Sequence, residues 1–279
     1  MIRLRSQALA LVAVASIVMV GGCSGSSGTP TPPPITDPHE VITKALAGAP
    51  NIQSLHIKVE VSGKVNAGAL GSSGGGLGLS GNLDLAGTSL EGDLDVVKQA
   101  TDLKFAVPAM LGLTGEIIVV GGSAYTKISL TGDKFSQSKL SDTIPISIPS
   151  PGAIASGAFT DQIAQLRKTL TDAGVVATLK PDGKVDGKDA YDVSYTIPID
   201  KINSMLAAQG GSAAAGITID SASVEIWVYK DNLLPAKLEA KAGAATLGNL
   251  DVTVTLTNYN QPVTINAPAA SDIATPAPN

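Results

Sequence analysis

Cys23 is the residue whose type and setting most clearly announce a chemical event. It is the only cysteine in the chain. Arg3 and Arg5 precede an apolar run from Ala8 to Val20, which is too short to span a bilayer. Val20-Gly21-Gly22 then lead directly into the thiol. A positive start, a short apolar stretch and small residues before a cysteine form the layout of a bacterial lipoprotein signal. The expectation is cleavage before Cys23, removal of residues 1–22, and diacylation of the new first residue. Each buried methylene adds about 0.8 kcal/mol, so two acyl chains hold far better than one. This predicts a lipid-anchored protein at the cell membrane, on the extracytoplasmic face of the envelope. The alternative is an ordinary secretory signal in which a lone cysteine falls at the cleavage site by accident.

Other patterns that could do chemistry are weaker. The two histidines, His39 and His56, lie in the first turn of a predicted helix and on the polar side of a predicted strand. With Cys23 committed to lipid, no cluster of His and Cys is left for zinc, and no cofactor is expected. Gly71-Ser72-Ser73-Gly74-Gly75 matches a nucleophile-elbow spacing but sits in a Gly/Ser-rich stretch, with both histidines before it. Ser136-Gln137-Ser138-Lys139 matches Ser-x-x-Lys, yet the surroundings read as extended. Ser136 and Lys139 would then point to opposite faces. Neither supports a catalytic site, and an enzyme is disfavoured. A Gly-polar-Leu-Asp-apolar pattern recurs at Gly81–Leu85, Gly92–Val96 and Gly248–Val252. Calcium-binding rolls need a strict tandem period. The plainer reading is strand starts after a turn glycine, with Leu inward and Asp outward.

Composition narrows the partners. Net charge is −5, and losing Arg3 and Arg5 makes it more negative. With no run of Lys and Arg, neither nucleic acid nor an anionic membrane surface attracts the chain. Hydrophobic residues make up 44% but aromatics only 3%, so the interior must be built mainly of Val, Ile, Leu and Ala. An aliphatic interior is compatible with a lipid-lined cavity, though a plain aliphatic core is the commoner cause.

The elements that must position these residues are legible in outline. Residues 23–36 read as the acylated cysteine and a disordered Ser/Gly/Thr/Pro tether, and 268–279 as a disordered tail. Between them, 37–267 read as one domain. Asp37 as N-cap, Pro38 and Glu40 open a helix that Gly48 ends. Further helices are predicted from Thr160 or Asp161 to Gly174 and from Pro198 to Gln209. Elsewhere apolar residues alternate, as in Leu55-Ile57-Val59-Val61, Leu77 to Leu85, Leu103-Phe105-Val107, Val193-Tyr195-Ile197, Val224-Ile226-Val228 and Val252-Val254-Leu256. Turns are predicted at Gly121-Gly122, Thr131-Gly132-Asp133, Pro181-Asp182-Gly183 and Lys230-Asp231-Asn232. The sum is α+β: a long antiparallel sheet with one apolar face and few helices. So few helices cannot fully cover it. A curved, partly closed sheet would solve this, and so would a fully packed domain with no cavity. The pattern leaves open which face points inward.

These landmarks resemble the mycobacterial LppX/LprG/LprA/LprF lipoproteins. The likeness rests on the lipobox, the Pro-rich tether, the opening helix and Ser54-Leu55-His56-Ile57-Lys58-Val59. It rests also on Gly121-Gly122-Ser123-Ala124-Tyr125-Thr126-Lys127, on Ile226-Trp227-Val228, and best on Val254 to Ile265, including Asn258-Tyr259-Asn260-Gln261-Pro262. The resemblance implies a LolA-like half-barrel, with helices on its concave side and an apolar cavity between. It also implies an acylated lipid or glycolipid as ligand, carriage of that lipid across the envelope, and a membrane transporter as a partner. Leu103, Phe105, Ile118, Val120, Val193 and Tyr195 are the candidate cavity-lining residues. The Gly-rich insert at Gly71–Gly78, Tyr259 in place of Trp, and Val107–Leu113 depart from the family pattern. The rival expectation is a surface-displayed, non-enzymatic lipoprotein with a solid core.

Overall fold

In the computed structural model the described residues are 34–48, 52–66, 81–139, 174–208 and 218–274. Cys23, the Gly71–Gly75 stretch and nearly all of the helix expected at 160–174 lie outside them. Helix α1 (Pro38–Ala47) begins as its sequence dictates. The Asp37 carboxylate accepts from the His39 N–H (2.8 Å), and Pro38 sits in the first turn, where a missing N–H costs nothing. Glu40, expected to close a capping box, pairs instead with Lys44 one turn on, at 2.8 Å. Helix α2 (Ile199–Ala208) follows the predicted span closely.

The strands are β1 (Ser54–Asn66), β2 (Asn82–Asp84), β3 (Thr88–Asp95), β4 (Ala100–Val107), β5 (Leu113–Val120) and β6 (Ser123–Ile128). They continue as β7 (Ser136–Lys139), β8 (Val176–Val185), β9 (Lys188–Thr196), β10 (Ser221–Tyr229), β11 (Pro235–Ala244) and β12 (Gly248–Thr257). All join one 12-stranded sheet in the order β7-β6-β5-β4-β3-β1-β12-β11-β10-β9-β8, with β2 beside the end of β1. Every strand pairing is antiparallel. The sheet is open: β1 and β12 meet at its middle, and two meanders run outward to β7 and β8, the outermost of the described strands.

Gly121-Gly122 makes the β5–β6 turn, with φ of 59° and 77°, as expected. The turn predicted at Pro181-Asp182-Gly183 is instead an irregularity inside β8, where the register shifts between Lys180 and Gly183. Proline has no N–H for a ladder, and an edge strand tolerates that loss. The true β8–β9 turn is Asp186-Gly187, with φ of 50° and 76°.

Register sorts the side chains. Residues directly opposite share a face. One row crosses ten strands as Ile128, Gly115, Phe105, Leu90, Val59, Val254, Leu238, Ile226, Val193 and Leu179. On the opposite face, one residue along each strand, runs Lys127, Glu116, Lys104, Glu91, Lys58, Thr255, Lys237, Trp227, Asp192 and Lys180. The sheet thus has an unbroken apolar row on one side and a largely alternating charge row on the other.

Two glycines show which way the sheet curls. A Cβ on Gly92, on the apolar face, would lie 1.9 Å from the Asp102 carbonyl oxygen of β4. A Cβ on Gly115, on the same face, would meet the Phe105 ring at 2.3 Å and the Lys127 carbonyl oxygen at 2.6 Å. Neighbouring strands converge on the apolar side, so that side is concave.

The C-terminal segment corrects a second expectation. Residues 268–274, predicted as the start of a disordered tail, include a 3-10 turn at Ala270–Asp272. Ile273 bridges in parallel to Phe135, through Phe135 N–H to Asp272 O (2.7 Å) and Ala274 N–H to Phe135 O (2.8 Å). After β12 the chain turns at Asn258 and Asn260, both at positive φ. It then crosses beneath the charged face toward the β7 edge. Ile265 and Ile273 cover Ile118, Tyr125 and Phe135 there. Burying these apolar groups fixes a segment whose Pro/Ala composition reads as disordered.

Candidate functional site: the concave apolar face

The concave face is covered unevenly. At one corner α1 lays Val41 and Ala45 on Tyr191, Val193 and Val228, all buried. The Ile35 N–H donates to the Tyr191 hydroxyl (3.2 Å), pinning the helix start. At mid-sheet Ile52, Leu55, Val254 and Leu256 are buried together. Along β1, β3, β4 and β5 burial is only partial: Val59, Leu90, Leu103, Phe105 and Ile117 are half-buried. A cleft between α1 and the sheet, lined by Ile42, Leu46, Ile226, Val228, Leu238 and Leu256 among others, holds about 30 Å³. Sites for small ligands typically hold about 300–1,000 Å³. This cleft alone is too small to hold an acyl chain. The described residues form an open, curved apolar face.

The six candidate lining residues do not share that face. Leu103 and Phe105 of β4 lie on it and are half-buried. Tyr195 of β9 lies on it and is also half-buried. Val193 lies on it but is fully buried beneath α1. Ile118 and Val120 lie on the opposite face, under the C-terminal strap, because Ile118 stands opposite Asp102 and Tyr125. β5 carries four apolar residues in a row, Ile117 to Val120, since both its faces are covered there. Alternation cannot then say which pair faces inward. Ile117, Leu90, Val59 and Leu238 belong to the concave face and stand outside the six candidates. Their alternation with Glu116, Glu91, Glu60 and Glu239 was the available signal.

The convex face holds the charges. His56 Nδ1 lies 2.8 Å from Asp93 Oδ1, and its Nε2 lies 3.4 Å from Glu91. Glu116 is held by Lys127 at 2.8 Å, and Lys180 pairs with Glu225. The Lys237 ammonium sits 3.7 Å from the centre of the Trp227 ring. Desolvation first, and the nearby Glu116 second, raise the Asp102 carboxyl above the ordinary carboxylate range. Desolvation first and Glu225 second do the same for Asp192. Each has one oxygen buried without a hydrogen-bond partner among the described residues. Burial pushes the Tyr229 phenol up to about 12 and raises Tyr259 as well. Tyr259 donates to the Pro235 carbonyl at 2.7 Å, tying the turn after β12 to the start of β11.

Ser136 and Lys139 stand on opposite faces of β7, as their extended setting predicts. Among the described residues no three His, Cys, Asp or Glu side chains gather to hold a metal ion. No described helix is long and apolar enough to cross a membrane. What the arrangement can do is present aliphatic surface to an apolar ligand.

The class these features define is an α+β half-barrel: an open, curved antiparallel sheet with few helices and one apolar concave face. No protein-family model matches the sequence, and no curated protein matches it. Among solved structures the fold is similar to the lipoprotein LppX of Mycobacterium tuberculosis. Identity is 16%, over 77% of this chain and 91% of that one, with a TM-score of 0.42. It is similar also to LprF of Mycobacterium bovis, at 18% identity over 79% of this chain and 91% of that one, TM-score 0.42. A putative outer membrane lipoprotein-sorting protein domain from Vibrio parahaemolyticus aligns at 9% identity over 75% and 87%, TM-score 0.21. At these identities the likeness is one of fold alone.

Proposed function

We propose that the chain is a non-enzymatic lipoprotein, anchored through acylated Cys23, that binds acylated lipids on its concave face and carries them across the cell envelope. The observation that carries this is the apolar row spanning ten strands and left half-buried along β1, β3 and β4. An acyl chain laid along it would bury area at roughly 25 cal/mol per Å², so a few hundred Å² contributes several kcal/mol. The bilayer offers the same burial, so the lipid is held in water yet can be handed over. Cys23 in its lipobox supports the anchor and the extracytoplasmic face, and a membrane transporter would be the natural donor or acceptor. Leu103, Phe105 and Tyr195 are the lining residues retained, with Ile117, Leu90 and Val59 added.

The test is a native mass spectrum of the full chain carrying Cys23→Ser, purified from a lipid-rich bacterial host without detergent and then solvent-extracted. Released acylated lipid supports the reading. A bare protein mass that persists after incubation with envelope lipids defeats it. That outcome favours the solid-core alternative.

A further inference from the structure

We infer that one end of the sheet, the end bearing the β4–β5 hairpin, docks into the surface of a lipid bilayer. This goes beyond lipid carriage and stands whether or not a lipid is carried.

Antiparallel strands put their connections at two ends. At the first end lie 85–87, 108–112, 129–135, 245–247 and the β9–β10 connection that contains α2. At the second lie 96–99, 121–122, 186–187 and 230–234. The turns at 85–87, 108–112 and 245–247 carry no charge of their own, while Asp133, Lys134, Asp200, Lys201 and Asp220 lie in the other two connections. The second end carries Lys98, Asp186, Lys230 and Asp231. Exposed large apolar side chains follow the same division. Leu111 (92% exposed), Leu130 (64%), Val176 (59%) and Leu250 (37%) lie at or near the first end, and Val97 alone at the second.

Leu111 is the sharpest of these. Its φ is 57°, a left-handed conformation that Gly and Asn adopt easily and Leu does not. The loop around it is tightly closed: Met110 N–H donates to Val107 O, Gly112 N–H to Pro108 O and Leu113 N–H to Met110 O, each at 3.0 Å. The backbone would be better served by another residue, and the side chain packs on nothing. Neither the turn nor the core accounts for a leucine at this tip. Apolar groups spread over separate tips along a curved rim suit a fluid surface better than one rigid partner. The net charge of −5 makes insertion of neutral apolar tips, not attraction to anionic lipid, the mode of contact. Reach permits it. Cys23 to Pro34 spans at most about 40 Å fully extended, against about 33 Å for a ten-residue strand.

The test labels Ala109→Cys and, separately, Val97→Cys with an environment-sensitive fluorophore, in the full chain carrying Cys23→Ser. Neutral phosphatidylcholine vesicles containing spin-labelled lipid are then added. Any adhesion by the N-terminal apolar run is common to both proteins, so only the local signal discriminates. The expected result is blue-shifted, quenched emission at 109 and none at 97. An unmoved signal at 109, or equal shifts at both sites, overturns the inference. A shift at 109 that follows protein concentration without vesicles assigns the end to a second copy of the chain and also overturns it. Leu111→Asn in the 109-labelled protein should keep or raise the melting temperature and weaken vesicle binding about tenfold. Unchanged binding removes Leu111 as the anchor. Lipid extraction reads the carrier function separately, so either idea can fail alone.

Discussion

Gly92→Ala is expected to be among the most damaging single-methyl additions in this protein. The new Cβ would lie 1.9 Å from the Asp102 carbonyl oxygen, 2.9 Å from its carbon and 3.0 Å from the Leu103 Cα. All three are backbone atoms of β4, so no rotamer change relieves the clash. β4 must retreat by about 1 Å from a partner normally about 4.8 Å away. The retreat strains the ladder hydrogen bonds beside the Gly92–Leu103 pair, each worth about 1 kcal/mol net. It also loosens the Leu90–Phe105 contact two pairs along the same ladder, the next pair on the apolar face. Overpacking and ladder loss together come to about 2–4 kcal/mol. Urea unfolding followed through Trp227, the only tryptophan and a buried one, reads this directly. Gly122→Ala is the control: its φ is 77° with nothing within 4 Å, so it carries backbone strain alone, about 1–2 kcal/mol. If Gly92→Ala loses no more than Gly122→Ala, β4 does not approach so closely and the curl toward the apolar face is wrong.

Leu103→Trp should reduce lipid loading while the protein stays folded, and unchanged loading removes Leu103 from the lining set. Ile273→Asp should peel the strap from Phe135, costing about 2–3 kcal/mol and exposing Ile118 and Tyr125, which a melt and dye binding would detect; an unchanged melt refutes the strap. Asp102 and Asp192 have raised carboxyl pKa values, so what they add to stability is full below the unfolded value near 3.8 and is lost as pH rises through the raised value. Asp102→Asn and Asp192→Asn should therefore stabilise at neutral pH by about 1 kcal/mol each, with the gain fading at acid pH. Asp95 is the opposite case: the Lys98 ammonium (2.7 Å) and its backbone N–H (2.8 Å) lower its carboxyl. Its contribution is present above the unfolded value and lost as pH falls through the lowered one, so Asp95→Asn should cost stability at neutral pH and nothing in strong acid.

The fold was legible where one face of a strand is buried and the other is wet. Leu55-Ile57-Val59-Val61 against His56-Lys58-Glu60-Ser62 gives the β1 register, and Asp37-Pro38 gives the start of α1 to the residue. Legibility failed where tertiary burial removed the contrast. Ile117 to Val120 is apolar on both faces because the strap covers the second one, so two of the six candidate residues fell on the wrong side. The strap itself was hidden, because Ile265 and Ile273 are isolated in a Pro/Ala-rich stretch and earn their burial only against β5, β6 and Phe135. In β8, Pro181-Asp182-Gly183 has turn chemistry, but an edge strand absorbed it as an irregularity. Asp186-Gly187, an equally good turn signal five residues on, set the hairpin.

A protein that displays an aliphatic face must also be kept from pairing or slipping through it. The convex charge row serves that end. Lys127, Glu116, Lys104, Glu91 and Lys58 alternate in sign across β6, β5, β4, β3 and β1. A one-residue slip of any strand would turn a charge into the apolar row and an aliphatic into the charged one. Each exposed pair contributes little to stability, but together they make the wrong register costly. The outermost described strands are blunted in the same spirit. β7 is four residues long and reads Ser-Gln-Ser-Lys, and β8 carries Pro181 with Lys180, Asp182 and Lys184. Short length, charge and proline discourage edge-to-edge association. The register, the edges and the curl set by Gly92 and Gly115 thus act on one outcome: an apolar surface open to a small ligand and closed to another sheet.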